Sequence, residues 1–198
     1  MDWKEQTLDF YDQNAGEFAE GTLPADMSDT RERFSSFLPP KGIILDFGCG
    51  AGRDTKAFLE DGFRVDAVDG SRELCEFASG YTGIEVKQML FSELDADQRY
   101  DGIWACASIL HLPRAELASV IGKMEKALKY GGVLYASFKY GIFEGMRNGR
   151  YFIDFTEAKL QGFWESVTDM PVFDMWITQD VRSDRKERKW INLLARRV

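Results

Sequence analysis

The stretch IILDFGCGAG, residues 43–52, is an apolar run that ends in an acid and is followed by three glycines at every second position. The run is too short for a typical helix, so we predict a strand buried in a parallel sheet. Glycines after such a strand let the backbone take positive φ or lie directly against a ligand. Helical spacing of apolar residues resumes at Ala57 and Phe58. A strand, a glycine turn and a helix N-terminus predict a nucleotide-binding cradle at the carboxyl edge of a sheet.

A second acid lies one predicted strand later. The segment RVDAVD, residues 64–69, alternates apolar and polar residues as a strand does, and it ends in Asp69. Asp69 follows Gly48 by about 20 residues, the spacing at which a second-strand acid accepts hydrogen bonds from a ribose diol. The two acids and the glycine turn together indicate a nucleoside-containing ligand, whereas an ordinary tight turn without a ligand is the alternative for the glycines alone.

Three segments resemble the class I S-adenosylmethionine-dependent methyltransferases: LDFGCGAGRDT from Leu45, VDAVDGS from Val65 and LKYGGVLYAS from Leu128. The resemblance covers residues 8–198. It implies a Rossmann-like, doubly wound α/β sheet with strand order 3-2-1-4-5-7-6 and an antiparallel C-terminal hairpin. The GRD-containing turn and the compact size also resemble family members associated with tellurite resistance or thiol methylation.

The resemblance further implies S-adenosylmethionine as cofactor, S-adenosylhomocysteine as product and a small molecule as methyl acceptor. The methyl group lies on a positively charged sulfur, which is already a good leaving group. The enzyme therefore needs no nucleophilic side chain and no metal, and its main catalytic task is to hold the acceptor for in-line displacement. Asp69 would bind the ribose, and Asp46 would orient the glycine turn or bind the methionine amino group. The cofactor-binding residues implied by the family's motifs are Tyr11, Asp46, Gly48, Cys49, Gly50, Arg53, Asp69, Gly70, Ser71, Met89, Leu90, Phe91, Cys106 and Ala107.

Two of these positions have alternatives. Many family members have an Asp that binds the adenine amino group where this sequence has Leu90, which leaves backbone groups, apolar packing or an acid such as Glu93. Arg53 is expected either to meet a carboxylate of the ligand or to pair with Asp54 or Glu60 on the surface. The sequence leaves both choices open.

Tyr11 and His111 are the candidate catalytic residues. Tyr11 begins a Tyr-x-x-x-Ala-x-x-Phe pattern in a helix predicted from residue 2 to about 20, and it resembles the opening of many small-molecule methyltransferases, in which this helix covers the cofactor. Its ring could shield the sulfonium while its hydroxyl reaches a carboxylate, or Tyr11 and Phe18 could simply dock the helix on the sheet. His111, the only histidine, is suited to general-base catalysis near pH 7. Its alternative is to cap the next helix or to hydrogen-bond a backbone carbonyl.

Residues 141–154 are predicted to form a long, glycine-punctuated loop beside the active cleft. Loops of this length in compact domains are usually functional or disordered. Family members hold their methyl acceptors after the fifth strand, so the resemblance makes Arg147, Arg150 and Tyr151 the candidate acceptor residues. The alternative for the two arginines is that they are solvated surface charges.

Length and composition limit the class of protein. We expect one domain across residues 1–198, with N-terminal lid helices at 1–40, the cofactor-binding core at 41–140 and the acceptor-side loop, helix and hairpin at 141–198. The net charge of −8 disfavours a nucleic-acid polymer as ligand. Three scattered cysteines, a single histidine and the lack of a long apolar span predict a cytoplasmic protein without a metal site or a membrane anchor. Neither the identity of the acceptor nor the oligomeric state follows from the sequence.

Two other functions are compatible with a nucleotide cradle. A nicotinamide-dependent oxidoreductase is disfavoured by the glycine spacing and by the terminal hairpin. A non-catalytic S-adenosylmethionine-binding module would keep the cofactor site but have a closed acceptor pocket. Methyl transfer from S-adenosylmethionine to a small molecule is the leading prediction.

Overall fold

The structure is a computed structural model, and it describes residues 2–182 and 187–198. The helices are α1 (Trp3–Gln13), α2 (Ala15–Thr22), α3 (Ser28–Ser35), α4 (Arg53–Glu60), α5 (Arg72–Thr82), α6 (Arg114–Ala127) and α7 (Glu157–Val167), with single 3-10 turns at Phe91–Glu93 and Ile109–His111. The strands are β1 (Ile43–Phe47), β2 (Arg64–Asp69), β3 (Val86–Gln88), β4 (Tyr100–Ala105), β5 (Leu128–Lys139), β6 (Glu144–Arg147), β7 (Arg150–Ile153), β8 (Val172–Gln179) and β9 (Lys189–Arg196).

Within the described residues, seven strands form one sheet in the order β3-β2-β1-β4-β5-β9-β8, and β6 and β7 form a separate hairpin. The first five are parallel, and β9 is antiparallel to both β5 and β8. Counted within the sheet alone, the order is 3-2-1-4-5-7-6, and the predicted Rossmann-like α/β fold with an antiparallel C-terminal pair is confirmed. The last two strands of the sheet are numbered β8 and β9 rather than β6 and β7, because the separate hairpin comes before them in the chain. Part of the charged turn between the last two strands, residues 183–186, lies outside the described residues.

β1 is an interior strand of the sheet, and its sequence is suited to burial on both faces. Ile44, Leu45 and Phe47 are all buried, and β2 and β4 flank the strand. The chain then passes through the glycines and enters α4 at Arg53, as predicted. One hydrophobic cluster includes side chains of α6 and α7, and another includes side chains of α3 and α4. Each fully buried aromatic or leucine side chain contributes about 1.5–3 kcal/mol, so these clusters hold the carboxyl edge of the sheet in place.

The predicted loop at residues 141–154 is wrong, because most of it is the β6–β7 hairpin. Its two-residue turn is Asn148-Gly149, with φ of 53° and 76°. Asn-Gly between two strands is the sequence signal for a type I′ turn, whose twist matches that of the paired strands. β6 and β7 have only four residues each and carry charged side chains, so their hydrophobic alternation is too short to identify them as strands. The Asn-Gly dipeptide was the sequence signal for this hairpin.

Two helix boundaries also differ from prediction. The predicted N-terminal helix is two helices, because the Asn14 side chain donates to the Phe10 carbonyl oxygen at 2.7 Å at the end of α1. The sequence after Pro113 predicts a long helix to about Tyr130 that Gly131 would cap, but the helix ends at Ala127, since Leu128 already pairs with Tyr100 in the sheet. Strand pairing therefore overrides the glycine signal.

α1 spans the carboxyl edge of the sheet between α5 and the β6–β7 hairpin. At one end, Asp12 accepts a hydrogen bond from the Ser71 hydroxyl at 2.5 Å. Nearer the other end, the Thr7 hydroxyl accepts from the Tyr151 N–H at 3.0 Å. These contacts hold α1 across the carboxyl edge of the sheet, where it covers the region in which ligands bind. In the described ranges, 2–182 and 187–198, none of the helices has the length and apolar content needed to cross a bilayer.

Candidate cofactor and acceptor site

A cavity of about 240 Å³ lies beneath α1, at the carboxyl ends of β1, β2, β4 and β5. This is the edge where open α/β sheets bind their ligands. Most of the residues predicted from the sequence line it: Tyr11, Asp46, Gly48, Cys49, Gly50, Arg53, Asp69, Gly70, Met89, Leu90, Phe91, Cys106, Ala107, His111 and Arg150. The other three, Ser71, Arg147 and Tyr151, are not among the lining residues.

Asp69 is held at one end of the cavity by backbone amides. Its Oδ2 accepts from the Gly50 N–H and its Oδ1 from the Ser71 N–H, both at 2.9 Å. Burial raises the pKa of Asp69, and these hydrogen bonds oppose that shift. A carboxylate has about four acceptor sites, so Asp69 can accept further hydrogen bonds while fixed beside the glycine turn. This geometry fits a ribose diol.

Asp46 is the second carboxyl group at this end, and it is almost fully buried. Its Oδ2 accepts from the Thr55 hydroxyl at 2.5 Å. Burial, followed by repulsion from Asp54, raises the pKa of Asp46 to about 8. A cationic ligand group would favour the ionised form, so this acidic end suits a positively charged ligand.

The glycine turn packs against its neighbours on both sides. Gly48 has a φ of +85°, and a Cβ there would collide with the Ser108 Cβ. Gly50 has a φ of +57°, and a Cβ there would lie 3.0 Å from the Phe18 ring. Of the two uses expected for these glycines, positive φ is confirmed, and the close approach seen at Gly48 is to Ser108.

Arg53 lines the cavity, but its guanidinium is paired with Asp54. Nε and Nη2 donate to the two carboxylate oxygens at 2.9 and 2.7 Å. Asp54 also accepts from Arg31 and from the Trp104 indole. Although burial raises the pKa of Asp54, the two guanidinium groups hold it below its ordinary value. The expected alternative of an Arg53–Asp54 pair is therefore confirmed, at a buried position rather than on the surface.

The segment predicted to contact adenine, residues 89–91, lines the cavity with apolar side chains. The Phe91 ring centroid lies 4.8 Å from that of Phe47. The Leu90 N–H donates to the Glu93 carboxylate at 2.7 Å, and Glu93 is exposed and not a lining residue. This segment therefore presents apolar side chains to the cavity, and the Glu93 carboxylate is engaged with the Leu90 N–H; which of these groups contacts adenine stays a prediction.

Ser71 is fully buried and supports the site from outside the lining. Its hydroxyl oxygen accepts from the Leu74 N–H at 3.2 Å, which caps α5, and donates to Asp12 of α1. Its own N–H donates to Asp69. The Ser71 side chain therefore caps α5 and holds α1, and its N–H orients Asp69; a direct contact of Ser71 with the cofactor stays a prediction.

Tyr11 and His111 form a hydrogen-bonded pair. The Tyr11 hydroxyl lies 2.8 Å from His111 Nε2, and His111 Nδ1 lies 2.6 Å from the Tyr151 carbonyl oxygen. Because a carbonyl oxygen only accepts, Nδ1 carries the proton and Nε2 accepts from the Tyr11 hydroxyl. Burial lowers the pKa of His111 to about 3, so the imidazole is neutral near pH 7. His111 therefore both lines the cavity and bonds a backbone carbonyl.

The other end of the cavity is basic. Arg150 lines it, with its guanidinium carbon 4.1 Å from the Phe10 ring centroid. Lys139, the last residue of β5, places Nζ 3.7 Å from the Phe152 ring centroid. Burial, followed by repulsion from Arg147 and Arg150, lowers the pKa of Lys139 to about 7. This end presents positive charge to a ligand.

The other two acceptor candidates are engaged elsewhere. Arg147 donates from both terminal nitrogens to Asp154 at 3.1 and 2.9 Å. The Tyr151 hydroxyl donates to Glu144 at 3.1 Å. Of the three candidates, only Arg150 lines the cavity.

Several lining residues were missed in the sequence. Lys139 ends a parallel strand at the edge where ligands bind, and that position was its available signal. Trp190 and Asn192 of β9 also line the cavity, because β9 is registered with Trp190 opposite Lys139. No local pattern in β9 indicates this register, so these two residues had no comparable signal.

Cys49 and Cys106 line the cavity as thiols. Burial raises the pKa of Cys49 well above its ordinary value and that of Cys106 to about 12. Since the thiolate is the nucleophilic form, these side chains serve as small parts of the wall rather than as nucleophiles.

Sequence comparison connects this site with methyltransferases. Residues 44–132, a little under half of the chain, match the family model Methyltransf_25, described as a methyltransferase domain. Over 114 residues, or 52% of the chain, the sequence is 29% identical to "Putative methyltransferase YqeM" of Bacillus subtilis (strain 168). That match spans 46% of the Bacillus protein, so the chain covers about half the length of this curated relative.

Solved structures share the fold over nearly the whole chain. The 1,6-didemethyltoxoflavin-N1-methyltransferase of Burkholderia thailandensis, solved with 1,6-didemethyltoxoflavin and S-adenosylhomocysteine, has a TM-score of 0.77 and 22% identity. The similarity covers 96% of this chain and 84% of that one. The [4+2]-cyclase SpnF has a TM-score of 0.74 and 14% identity, over 96% of this chain and 94% of its own. The second likeness shows that the fold alone does not set the reaction.

The fold is that of the Rossmann-like S-adenosylmethionine-dependent methyltransferases. Within that fold, residues 44–132 match the methyltransferase domain Methyltransf_25. The resemblance to this class is confirmed at that level. The finer likeness to tellurite-resistance and thiol methyltransferases stays a prediction.

Proposed function

We propose that the protein transfers a methyl group from S-adenosylmethionine to a small-molecule acceptor. The observation that carries the proposal is one cavity with two unlike ends, acidic at Asp46 and Asp69 and basic at Lys139 and Arg150. A module that only bound the cofactor would need the first end alone. The domain match and the relative solved with S-adenosylhomocysteine support the donor over a nicotinamide.

The side chains of the acidic end fit this cofactor. When bound, S-adenosylmethionine supplies a methyl group on a positively charged sulfur. Asp69 would accept hydrogen bonds from the ribose, oriented by the Gly50 N–H. Asp46 would face the cationic methionine portion, and the apolar residues 89–91 would cover the adenine. Each of these roles follows from charge or apolar surface that the cavity presents.

Catalysis in this proposal rests on positioning. The neutral His111 accepts from the Tyr11 hydroxyl, and its other nitrogen is held by a backbone carbonyl, so neither nitrogen is free to take a proton. We assign His111 the role of orienting Tyr11, and Tyr11 that of shielding the sulfur and contacting the acceptor beneath α1. A fixed, water-poor site of this kind accelerates displacement by holding the reactants in line.

Three further statements belong to the proposal. The chain acts as one domain, with lid helices at residues 1–40, the cofactor core at 41–140 and the acceptor side at 141–198. The net charge of −8 supports a small molecule rather than a nucleic acid as acceptor. Three free cysteines support a reducing compartment such as the cytoplasm.

Calorimetric titration with S-adenosylhomocysteine and with NAD tests the donor site. Asp69→Ala should weaken binding of S-adenosylhomocysteine about 10–100-fold, because a hydrogen bond to a charged group is worth about 1.5–3 kcal/mol. Asp66→Ala is the matched control, since Asp66 lies on the same strand but pairs with Arg99 outside the cavity. Equal affinity in the parent and Asp69→Ala, or a preference for NAD, would overturn the assignment.

A further inference from the structure

We propose that the methyl acceptor is an anionic small molecule with a flat apolar body, whose oxyanion binds between Arg150 and Lys139. The name methyl acceptor rests on the proposed function. The anion site itself rests on the side chains at the basic end of the cavity.

Arg150 has no carboxylate partner within residues 2–182 and 187–198. Its Nη1 lies 3.4 Å from the Tyr11 hydroxyl, and its Nε is buried without a hydrogen-bond acceptor. Arg147, on the same hairpin, also has a buried Nε without an acceptor, but both of its terminal nitrogens donate to Asp154. A guanidinium presents its donors as a planar fork that matches a carboxylate. Arg150 therefore lines the cavity with N–H donors from which an oxyanion could accept hydrogen bonds.

Lys139 is a second cation without a carboxylate partner in the described ranges. Asp154 is the acid that acts on it, and that carboxylate is already paired with Arg147. Arg147, Arg150 and Arg188 repel the Lys139 ammonium, and burial disfavours it further. Two like charges in one partly buried site are costly unless an anion lies between them. The basic end is thus complete only with a bound anion.

Phe152 joins the two cations and indicates the shape of the ligand. Its ring centroid lies 5.2 Å from the Arg150 guanidinium carbon and 3.7 Å from Lys139 Nζ. Trp190 and Tyr11 line the same cavity. A flat ring can pack against these aromatic side chains while its anionic group meets both cations. With a net charge of −8, the protein offers no general attraction for anions, so this recognition is local.

Benzoate is a suitable probe, and benzamide is its uncharged counterpart. Binding is followed by tryptophan fluorescence and by ligand-observed NMR, without cofactor. Benzoate should bind at least tenfold more tightly than benzamide, and Arg150→Met and Lys139→Met should each weaken it about tenfold or more. Both variants should keep the parent's affinity for S-adenosylhomocysteine. Arg99→Met, which removes a cation paired with Asp66 on the surface, should change neither affinity.

Equal affinity for benzoate and benzamide, or unchanged benzoate binding in both variants, would overturn the anion site. If Arg150→Met does not fold, Arg150→Lys and Lys139→Met carry the test, with thermal unfolding as the check on folding. Displacement of benzoate by inorganic phosphate would extend the site to oxyanions in general, and its absence would restrict the site to carboxylates. Failure of the parent to bind S-adenosylhomocysteine would refute the proposed function alone. Failure to bind benzoate would refute this inference alone.

Discussion

The two ends of the cavity carry opposite charge, and at both ends burial disfavours the charged form. At the acidic end, burial raises the pKa of Asp46 to about 8. At the basic end, burial and neighbouring arginines lower the pKa of Lys139 to about 7. Each group would regain its charge beside a ligand group of the opposite sign. In the proposed reaction, a cationic donor and an anionic acceptor are therefore directed to different ends by charge alone.

A neutral pair, Tyr11 and His111, lines the same cavity, and both Arg150 and Asp69 act electrostatically on Tyr11. His111 is uncharged near pH 7, and burial raises the pKa of Tyr11, which lowers its tendency to ionise. Neither side chain competes with the donor's positive charge or with the acceptor's negative charge. A neutral pair at this point suits a reaction whose components bring their own charges and need mainly to be aligned.

The largest expected effect is on the pH dependence of S-adenosylmethionine binding. Affinity should rise from pH 5.5 to 7.5, by up to tenfold per pH unit, because the cationic ligand displaces the proton that Asp46 retains below its pKa of about 8. The ligand's own amino group stays mostly protonated in this range. Asp46→Asn should remove most of the slope, while Asp66→Asn should leave it unchanged. Calorimetry at three pH values measures it.

Benzoate should show the opposite trend and weaken above pH 7. Lys139 loses its charge there, and the bound anion raises its pKa, so binding takes up a proton. The cationic groups that act on Lys139 are Arg147, Arg150 and Arg188, and the acid that acts on it, Asp154, is paired with Arg147. Parallel pH slopes for the two ligands would refute the contrast between the ends.

The two ends of the cavity differ in how far the sequence predicts them, because local patterns mark the residues of one end and long-range packing brings together those of the other. Asp46, the glycine turn and Asp69 occur at the ends of consecutive strands, so local patterns identify them. Arg147 and Arg150 look alike in sequence and differ only because Asp154 pairs with one of them. Lys139 acquires its environment from a hairpin and an antiparallel strand that pack around it in three dimensions. Sequence therefore predicted the acidic end well and the basic end only in part.

A smaller effect is expected at the neutral pair. Tyr11→Phe removes the acceptor of the long Arg150 hydrogen bond and leaves His111 Nε2 without its donor, so protection of α1 from hydrogen exchange should fall about 3–10-fold, the equivalent of about 0.5–1.5 kcal/mol. In the parent, S-adenosylhomocysteine should increase protection over residues 3–22 if α1 and α2 act as a lid. Tyr130→Phe, at an exposed position, is the control. If neither Tyr11→Phe nor S-adenosylhomocysteine changes the hydrogen-exchange protection of α1, this helix is a fixed part of the fold and not a lid.

The smallest effect concerns stability, where Lys139→Met should raise the Tm at pH 6–7. The pKa of about 7 in the folded protein lies below the unfolded value of about 10.4, so the unfolded state binds more protons between these values and stability rises with pH across them. At or below pH 7 the buried ammonium destabilises the fold fully. Methionine keeps the apolar stem against Phe152 without that charge, and each kcal/mol gained corresponds to about 2–4 °C.

The gain from Lys139→Met should shrink as the pH approaches 10, because the parent's lysine is then neutral when folded and about a quarter to a third neutral when unfolded. Lys189→Met, at an exposed position on β9, is the matched control and should leave the Tm unchanged. Scanning calorimetry at pH 6.5 and 9.5 measures both variants. A Tm that falls in Lys139→Met would mean that the ammonium stabilises the fold by itself. The basic end would then need no anion. It would differ from the acidic end, where burial disfavours the charged form of Asp46 unless a cationic ligand is bound.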